Sequence, residues 1–160
     1  MLVSGIGYDN HRLEKNRILV IGGVKIPFEK GLAGHSDADV LVHAIIDSIL
    51  GASGEKDIGS FFPDTDPTYK NISSLELLKI VSDFIKTKIV YVDAVIIAEK
   101  PKLAALISEM RSNISSALKI SVERVNIKAK TNEGIGAVGR GEGISAYVVC
   151  TVDRNFSNNE

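Results

Sequence analysis

The chain has 160 residues, of which 44% are hydrophobic and 24% charged, with 19 Lys and Arg against 20 Asp and Glu. This length and composition fit one globular domain. A net charge of −1 creates no overall field that would attract nucleic acid or an acidic membrane, so we expect neither as a partner.

Cysteine content and the first residues bear on location. The single cysteine, Cys150, cannot form a disulfide within the chain, which suits a reducing compartment. It ends an apolar run and is predicted to be a buried side chain, not a nucleophile. The first residues become polar too soon for a signal peptide, and no stretch reaches the roughly 20 apolar residues of a membrane span. We therefore expect a cytoplasmic protein.

The first predicted elements are a strand, a hairpin and a helix. An apolar run predicts a strand over 2–8, followed by polar residues. Two short apolar runs around a Gly-Gly pair predict a hairpin over 18–26. A helix is predicted over 36–51, because Ser36 and Asp39 form a capping-box pattern and apolar residues follow at helical spacing.

A long segment, 52–72, contains two glycines and two prolines and has little periodicity. Loops of this length are usually functional or disordered, and the Phe61-Phe62 pair favours an ordered loop over a site. The remaining predicted elements are a helix over 73–86, a strand over 89–98, a helix beginning at Pro101, and strands over 125–129 and 144–152.

This order of elements predicts an α+β fold over residues 1–154. We expect a single-domain two-layer sandwich, in which a mixed four-stranded sheet has helices on one face and a small hairpin beside it. Residues 155–160 are predicted to be a disordered tail.

The histidines and one carboxylate indicate a metal site. Asp9 and His11 are two residues apart and share a face of an extended chain, whereas His43 lies on the first predicted helix. If strand and helix meet, two imidazoles and one carboxylate suit a catalytic zinc ion with its fourth position open. Asp47, one turn after His43, is predicted to orient that histidine. A chance Asp-x-His beside a packed helical histidine remains the alternative from these residues alone.

Two other segments have residues that suit phosphate. His35 and Ser36 precede the first helix, where free N–H groups favour an anion, although Ser36 could be only a helix cap. Thr131 and Arg140 flank the glycine-rich run 134–139 and could contact phosphate, and Glu133 could hold magnesium. A solvated turn is the alternative there. The run itself fits G-x-G-x-x-G, but it leads into a strand and not a helix, so we exclude a dinucleotide-binding fold.

These segments together resemble one family. The resemblance is carried by Gly7-Tyr8-Asp9-Asn10-His11, by Gly22 to Pro27, by His35-Ser36-Asp37-Ala38-Asp39 through His43-Ala44, by Asp57-Ile58-Gly59, by Phe62 to Pro67, by Thr131-x-Glu133 and by Gly139 to Gly143. The family is that of 2-C-methyl-D-erythritol 2,4-cyclodiphosphate synthase, and the similarity runs from about residue 3 to residue 153.

The resemblance implies an enzyme of non-mevalonate isoprenoid biosynthesis. Its substrate would be 4-diphosphocytidyl-2-C-methyl-D-erythritol 2-phosphate, and its products the cyclodiphosphate and CMP. It implies a homotrimer with active sites between subunits, and a zinc ion on Asp9, His11 and His43. A second divalent cation, Mg²⁺ or Mn²⁺, would be held by Glu133 and the substrate phosphates. His35 and Thr131 would stabilise the transition state.

The resemblance also implies a set of substrate contacts. The metal and diphosphate end would be met by Asp9, Asn10, His11, His35 and Ser36. The methylerythritol hydroxyls would be held by Asp57, Ile58 and Gly59, beneath a loop of Phe62, Pro63, Asp64, Thr65 and Asp66. The neighbouring subunit would line the cytidine pocket with Ala98, Glu99, Lys100, Pro101, Lys102, Leu103 and Ala104. The cytidine diphosphate end would meet Lys130, Thr131, Asn132 and Glu133, with Ala137 nearby, and Arg140 would contact phosphate or the inner wall of the trimer. Ala137 and Lys130 stand where some members carry a bulky apolar residue and a threonine.

Two competing functions remain open from the sequence. A zinc phosphohydrolase would use a metal-bound hydroxide and release linear phosphates. A non-catalytic trimeric binder of nucleotides or isoprenoid phosphates would need no zinc and show no turnover.

Overall fold

Residues 1–63, 65–69 and 72–155 are described by the computed structural model. The strands are β1 (Leu2–Lys15), β2 (Leu19–Ile21), β3 (Val24–Ile26), β4 (Lys30–Leu32), β5 (Lys88–Ile97), β6 (Val125–Lys130) and β7 (Gly143–Asp153). The helices are α1 (Val40–Ser53), α2 (Ile58–Phe61), α3 (Ser74–Phe84), α4 (Ile107–Leu118) and α5 (Gly136–Gly139), with 3-10 turns at Pro67–Tyr69, Ala104–Leu106 and Val122–Arg124. Of the predicted tail 155–160, residues 156–160 lie outside the described part.

The main sheet confirms the predicted α+β class. Its strand order is β4-β1-β7-β5-β6, in which β5 and β6 are parallel and the other pairs antiparallel, and β2 and β3 form the predicted separate hairpin. The predicted number of four strands is wrong, because β4 adds a fifth strand at one edge. That strand has three residues and pairs with Leu13 to Lys15, a part of β1 that we had not predicted to be extended.

The length of β1 corrects the first predicted strand. The strand continues from the predicted end at residue 8 to Lys15, because β7 pairs with it without interruption from Leu2 to Arg12. Asp9 and His11 therefore lie inside the strand and not after it. Backbone pairing on the sheet tolerates polar side chains, which the hydrophobicity pattern alone does not reveal.

Two glycines on β1 let helix α1 lie directly on the sheet. A Cβ atom at Gly5 would stand 2.3 Å from the carbonyl oxygen of Ser48, and one at Gly7 would stand 1.9 Å from that of Ala44. Backbone therefore meets backbone, and no side chain separates strand from helix. This approach carries His43, which precedes Ala44 on α1, toward the later part of β1.

The start of α1 differs from the predicted capping box. The helix begins at Val40 with Asp39 as its cap, whose carboxylate accepts from the Val42 N–H. The same buried carboxylate also accepts from the N–H groups of Gly22 and Gly23 in the hairpin. Three backbone donors compensate the cost of burying this group, so Asp39 joins the hairpin to the helix.

Other boundaries also differ from the predicted ones. The segment 52–72 contains the end of α1, the short helix α2 and one 3-10 turn, so it is more regular than predicted. Helix α4 begins at Ile107 and not at Pro101, because a 3-10 turn precedes it. The glycine-rich run forms the four-residue α5 before β7, too short to be the helix of a dinucleotide fold.

The face of the sheet opposite the helices exposes large apolar side chains. Ile6 is 72% exposed, and the ring centroids of Tyr8 and Tyr147 lie 4.7 Å apart. We call this surface the open face, and it comprises Ile6, Tyr8, Tyr91, Tyr147 and Val149. None of the helices that the structure describes has both the length and the apolar composition to cross a bilayer.

Candidate metal centre and substrate cavity

Asp9, His11 and His43 come together as the sequence predicts. The Nε2 atom of His11 lies 2.8 Å from Asp9 Oδ2, and the Nδ1 atom of His43 lies 3.1 Å from the same oxygen. The two nitrogens are 3.1 Å apart. Three potential ligand atoms from a strand and a helix therefore converge on one point, and all three residues are partly buried.

The orientation of His11 is set by a backbone carbonyl. Its Nδ1 atom lies 2.6 Å from the oxygen of Ala33, which can only accept a hydrogen bond. Nδ1 must therefore carry a proton, and Nε2 faces Asp9 and His43. Such a hydrogen bond on the far nitrogen is the usual support for a histidine that binds a metal.

The orientation of His43 is set by two serines. Its Nε2 atom lies 2.9 Å from Ser74 Oγ and 3.1 Å from Ser36 Oγ. The prediction that Asp47 orients this histidine is wrong. The carboxylate of Asp47 accepts from the N–H of Ile58, at 2.7 Å, and so connects α1 to α2.

The donor set fits a divalent metal ion. Ligands at about 2.0–2.2 Å from a tetrahedral ion lie about 3.3 Å from one another, close to the separations found here. Two imidazole nitrogens and one carboxylate oxygen also leave a fourth position for a substrate atom. Both histidines have their other nitrogen occupied by the protein, so no large rearrangement is needed for an ion to bind.

Electrostatics agree with this arrangement. Burial favours the neutral form of Asp9, but its close contacts with the His11 and His43 rings outweigh burial and hold the pKa of the carboxyl well below its usual range. Burial also opposes the charged form of His11, yet the hydrogen bond and charge of Asp9 raise its pKa. In the metal-free site, the Asp9 carboxylate is thus paired with a protonated His11. A bound cation would replace that proton.

A cavity of about 510 Å³ opens beside the three residues. Its lining includes the predicted His35 and Ser36, together with the helix α1 residue Asp47. The far wall comes from the predicted loop, and its described lining residues are Ile58, Gly59, Phe62, Pro63, Thr65, Asp66, Pro67 and Tyr69. Asp64, predicted for the same loop, lies outside the described residues.

Aromatic contacts hold the loop over the cavity. The rings of Phe62 and Tyr69 meet edge to face with centroids 5.0 Å apart, and Phe61 meets Phe84 in the same way at 4.9 Å. Phe62 is buried. Each such pair stabilises by about 0.5–1.5 kcal/mol beyond area burial, so one contact joins the loop to helix α3 and the other braces the loop internally.

Two residues that are predicted to contact the substrate lie outside the described cavity lining. The side chain of Asn10 accepts from Ser145 Oγ at 2.9 Å, on the sheet face away from Asp9 and His11. The exposed carboxylate of Asp57 caps helix α2 by accepting from the Ser60 N–H at 2.9 Å. Neither is among the described residues that line the cavity.

The remaining predicted residues form a second cluster. Segments 98–104 and 130–140 contribute none of the described residues that line the cavity. They lie together, since the Glu99 carboxylate accepts from the N–H groups of Asn132 and Gly134. Thr131 Oγ1 donates to Glu133 at 2.8 Å, and Arg140 pairs with Glu142. Among the described residues, the cavity and this second cluster are therefore separate.

Cys150 takes no part in either cluster. It is fully buried in β7, as predicted, and burial raises the pKa of its thiol to about 12. A thiol in this state is a poor nucleophile.

Sequence reasoning missed three features of the site. Ser74 was treated only as part of a helix start, the carbonyl of Ala33 carries no side-chain signal, and Tyr69 was not singled out. Ser74 is 31 residues from His43, so no local spacing would have joined them. The helical period identifies faces within an element and not contacts between elements.

Comparison with known proteins places the chain in a family. The YgbB family matches residues 2–153. The 2-C-methyl-D-erythritol 2,4-cyclodiphosphate synthase of Caldicellulosiruptor bescii is 56% identical over 155 residues, covering 95% of this chain and 99% of the relative. The bifunctional IspDF of Campylobacter jejuni superposes with a TM-score of 0.93 at 39% identity, covering 98% of this chain and 43% of that protein. The CDP complex of Plasmodium falciparum IspF superposes with a TM-score of 0.82 at 32% identity, covering 95% and 96%. The chain belongs to the YgbB family, the family of the 2-C-methyl-D-erythritol 2,4-cyclodiphosphate synthases.

Proposed function

We propose that this chain converts 4-diphosphocytidyl-2-C-methyl-D-erythritol 2-phosphate to 2-C-methyl-D-erythritol 2,4-cyclodiphosphate and CMP. It would act as a phosphorus-oxygen lyase in isoprenoid precursor biosynthesis. The observation that carries the proposal is the convergence of Asp9, His11 and His43 at a 510 Å³ cavity, in a chain of this family.

The proposed ion on Asp9, His11 and His43 is Zn²⁺. Two imidazole nitrogens favour zinc over magnesium, which prefers oxygen ligands. When bound there, zinc would act as a Lewis acid on a phosphate oxygen. Glu133 would hold a second cation, Mg²⁺ or Mn²⁺, together with the substrate phosphates.

The reaction needs the substrate to be folded more than it needs a protein nucleophile. An oxygen of the 2-phosphate would attack the β-phosphorus of the same molecule, and the bond from that phosphorus to CMP would break. His35 and Ser36 line the cavity, and we propose that they hold the diphosphate. Holding both ends of one molecule in a reactive pose removes most of the entropic barrier.

The loop over the cavity would favour cyclisation over hydrolysis. Phe62 and Pro63 contribute apolar surface to the cavity wall beside the polar segment 65–66. Asp57, Ile58 and Gly59 would hold the methylerythritol hydroxyls. A covered site limits access of water, the competing nucleophile.

We propose that a homotrimer brings the cavity of one subunit beside the second cluster of its neighbour. The open face is an apolar surface of a kind that isolated soluble domains rarely leave in water, which supports burial against other copies. Segment 98–104 of one subunit would then line the cytidine pocket beside the cavity of the next. The cytidine diphosphate end would meet Lys130, Thr131, Asn132 and Glu133, with Thr131 stabilising the transition state and Ala137 and Arg140 nearby. The Plasmodium falciparum relative was solved with CDP, the nucleotide part of the proposed substrate.

Two further proposals concern the whole chain. Residues 1–154 would form the catalytic domain, and the protein would act in the cytoplasm. Neither a membrane nor a nucleic acid is required by the reaction.

Turnover in water enriched in oxygen-18 tests the proposed reaction. Intramolecular attack transfers no solvent oxygen, so mass spectrometry is expected to find unlabelled CMP and an unlabelled second product. Labelled phosphate in either product would instead support a phosphohydrolase. Wild-type protein that is loaded with zinc and releases no CMP would contradict both.

A further inference from the structure

The nitrogen of His43 that faces away from the proposed metal meets a buried serine. Ser74, the first residue of α3, is fully buried, and its Oγ lies 2.9 Å from His43 Nε2. The other nitrogen, Nδ1, faces Asp9 and His11. Ser74 therefore touches the metal ligand from behind without reaching the metal position.

The hydroxyl proton of Ser74 is already committed. Ser74 Oγ donates to Asp37 Oδ1, and the Ser74 backbone N–H donates to Asp37 Oδ2 at 3.0 Å. A hydroxyl has one proton to donate, so toward His43 the Ser74 oxygen can only accept. The hydrogen bond then requires a proton on His43 Nε2, which in the neutral imidazole leaves the Nδ1 lone pair facing the metal position.

The arrangement differs from a nucleophilic serine with its base. In a catalytic triad the carboxylate contacts the histidine, whereas here Asp37 contacts the serine. Ser74 is also fully buried, so it has no access to a substrate.

Ser36 is a weaker support for the same nitrogen. Its Oγ lies 3.1 Å from His43 Nε2, and it also accepts from the Ala38 N–H at 3.2 Å. Its proton is not committed to a carboxylate, so it can turn toward a substrate phosphate. We propose that Ser74, held by Asp37, is a positioning residue that fixes the Nε2–H tautomer of His43 and so prepares Nδ1 to bind the metal.

This inference rests on the proposed metal site, and its first test needs no metal. The chain has three histidines, so long-range ¹H–¹⁵N NMR of ¹⁵N-labelled, metal-free protein resolves each ring. We expect the wild-type His43 proton on Nε2 when the imidazole is neutral. A neutral His43 with its proton on Nδ1 would overturn the proposal, whatever any variant does.

The second test compares neighbouring serines. Ser74→Ala removes the acceptor, whereas Ser73→Ala is the matched control, since Ser73 is exposed and its side chain makes no cap hydrogen bond. Loss of a group that supports a metal ligand typically costs 10- to 100-fold in metal affinity. We expect a loss of roughly that size in zinc affinity for Ser74→Ala, together with a mixture of His43 tautomers in the metal-free protein. Ser73→Ala is expected to match the wild type in both.

The outcomes separate the inference from the proposed function. Wild-type protein that binds no zinc would contradict the metal site itself. If the wild type binds zinc and the zinc affinity of Ser74→Ala is within about twofold of the wild-type value, the loss is much smaller than expected. That result would overturn the positioning role alone. If Ser74→Ala does not fold, Asp37→Asn replaces it, because that change weakens the acceptor of the serine proton and is expected to mix the His43 tautomers in the same way.

Discussion

Replacing Gly7 by alanine should separate helix α1 from the sheet and loosen the metal centre. The new Cβ would stand 1.9 Å from the Ala44 carbonyl oxygen and 2.8 Å from the Ser48 nitrogen, and both are helix backbone. No side chain can rotate away, so the helix must retreat by roughly 1.5 Å to reach a normal contact distance. Overpacking of this kind costs about 1–3 kcal/mol, and backbone on both sides puts Gly7→Ala at the upper end.

The displaced helix also carries a metal ligand. His43 adjoins Ala44, so its Nδ1 would move away from Asp9 and His11, which now lie 3.1 Å from it. We expect zinc affinity to fall roughly 10- to 100-fold, the range found when the support of a ligand is lost. Urea unfolding of the metal-free protein measures the stability, and competition with a chromophoric chelator measures the affinity.

Gly51→Ala is the matched control on the same helix. The nearest atom to its added Cβ is 3.9 Å away, so the methyl group fits. Alanine in a helix is about 0.5–1 kcal/mol more favourable than glycine, so this variant should be slightly more stable and bind zinc normally. Gly7→Ala with wild-type stability and zinc affinity would refute the reasoning, because it would show that a methyl group fits between the strand and the helix.

Three further predictions follow from the site and the surface. His43→Ala should lose bound zinc by elemental analysis and nearly all CMP release, and normal turnover of the zinc-free variant would contradict the assignment. Cys150, with its pKa at about 12, should hold about 1 thiolate in 10⁴ at pH 8. Its labelling by a thiol reagent should thus be very slow and rise about tenfold per pH unit, whereas fast labelling of folded protein would count against burial. Ile6→Asp on the open face should dissociate the proposed trimer in sedimentation velocity, while Ile18→Asp, on another exposed surface, should leave it intact.

The candidate metal ligands were predictable because their signal is local. Asp9 and His11 share a face in any extended chain, so the pairing held even though the predicted strand ended too early. His43 was predicted to lie on a helix, and α1 contains it. What brings the helix to the strand is the close approach at Gly5 and Gly7, and nothing in hydrophobic periodicity marks a glycine as a contact point.

Contacts between distant segments were not predictable in this way. Ser74 is hydrogen-bonded to His43, 31 residues away in the chain, and the Asp39 carboxylate accepts from the N–H groups of Gly22 and Gly23 in the hairpin turn. Asp47 illustrates the opposite error, because its helical spacing placed it near His43 but its carboxylate binds the Ile58 N–H instead. Spacing fixes which residues share a face, whereas hydrogen-bond partners depend on the tertiary arrangement.

A phosphorus NMR time course tests the proposed cyclisation most directly. Purified protein would be incubated with zinc, magnesium and 4-diphosphocytidyl-2-C-methyl-D-erythritol 2-phosphate. We expect the 2-phosphate monoester signal to disappear as CMP and a cyclic diphosphate appear in equal amounts. CMP accompanied only by linear phosphates, or an unchanged substrate with folded and zinc-loaded protein, would contradict it.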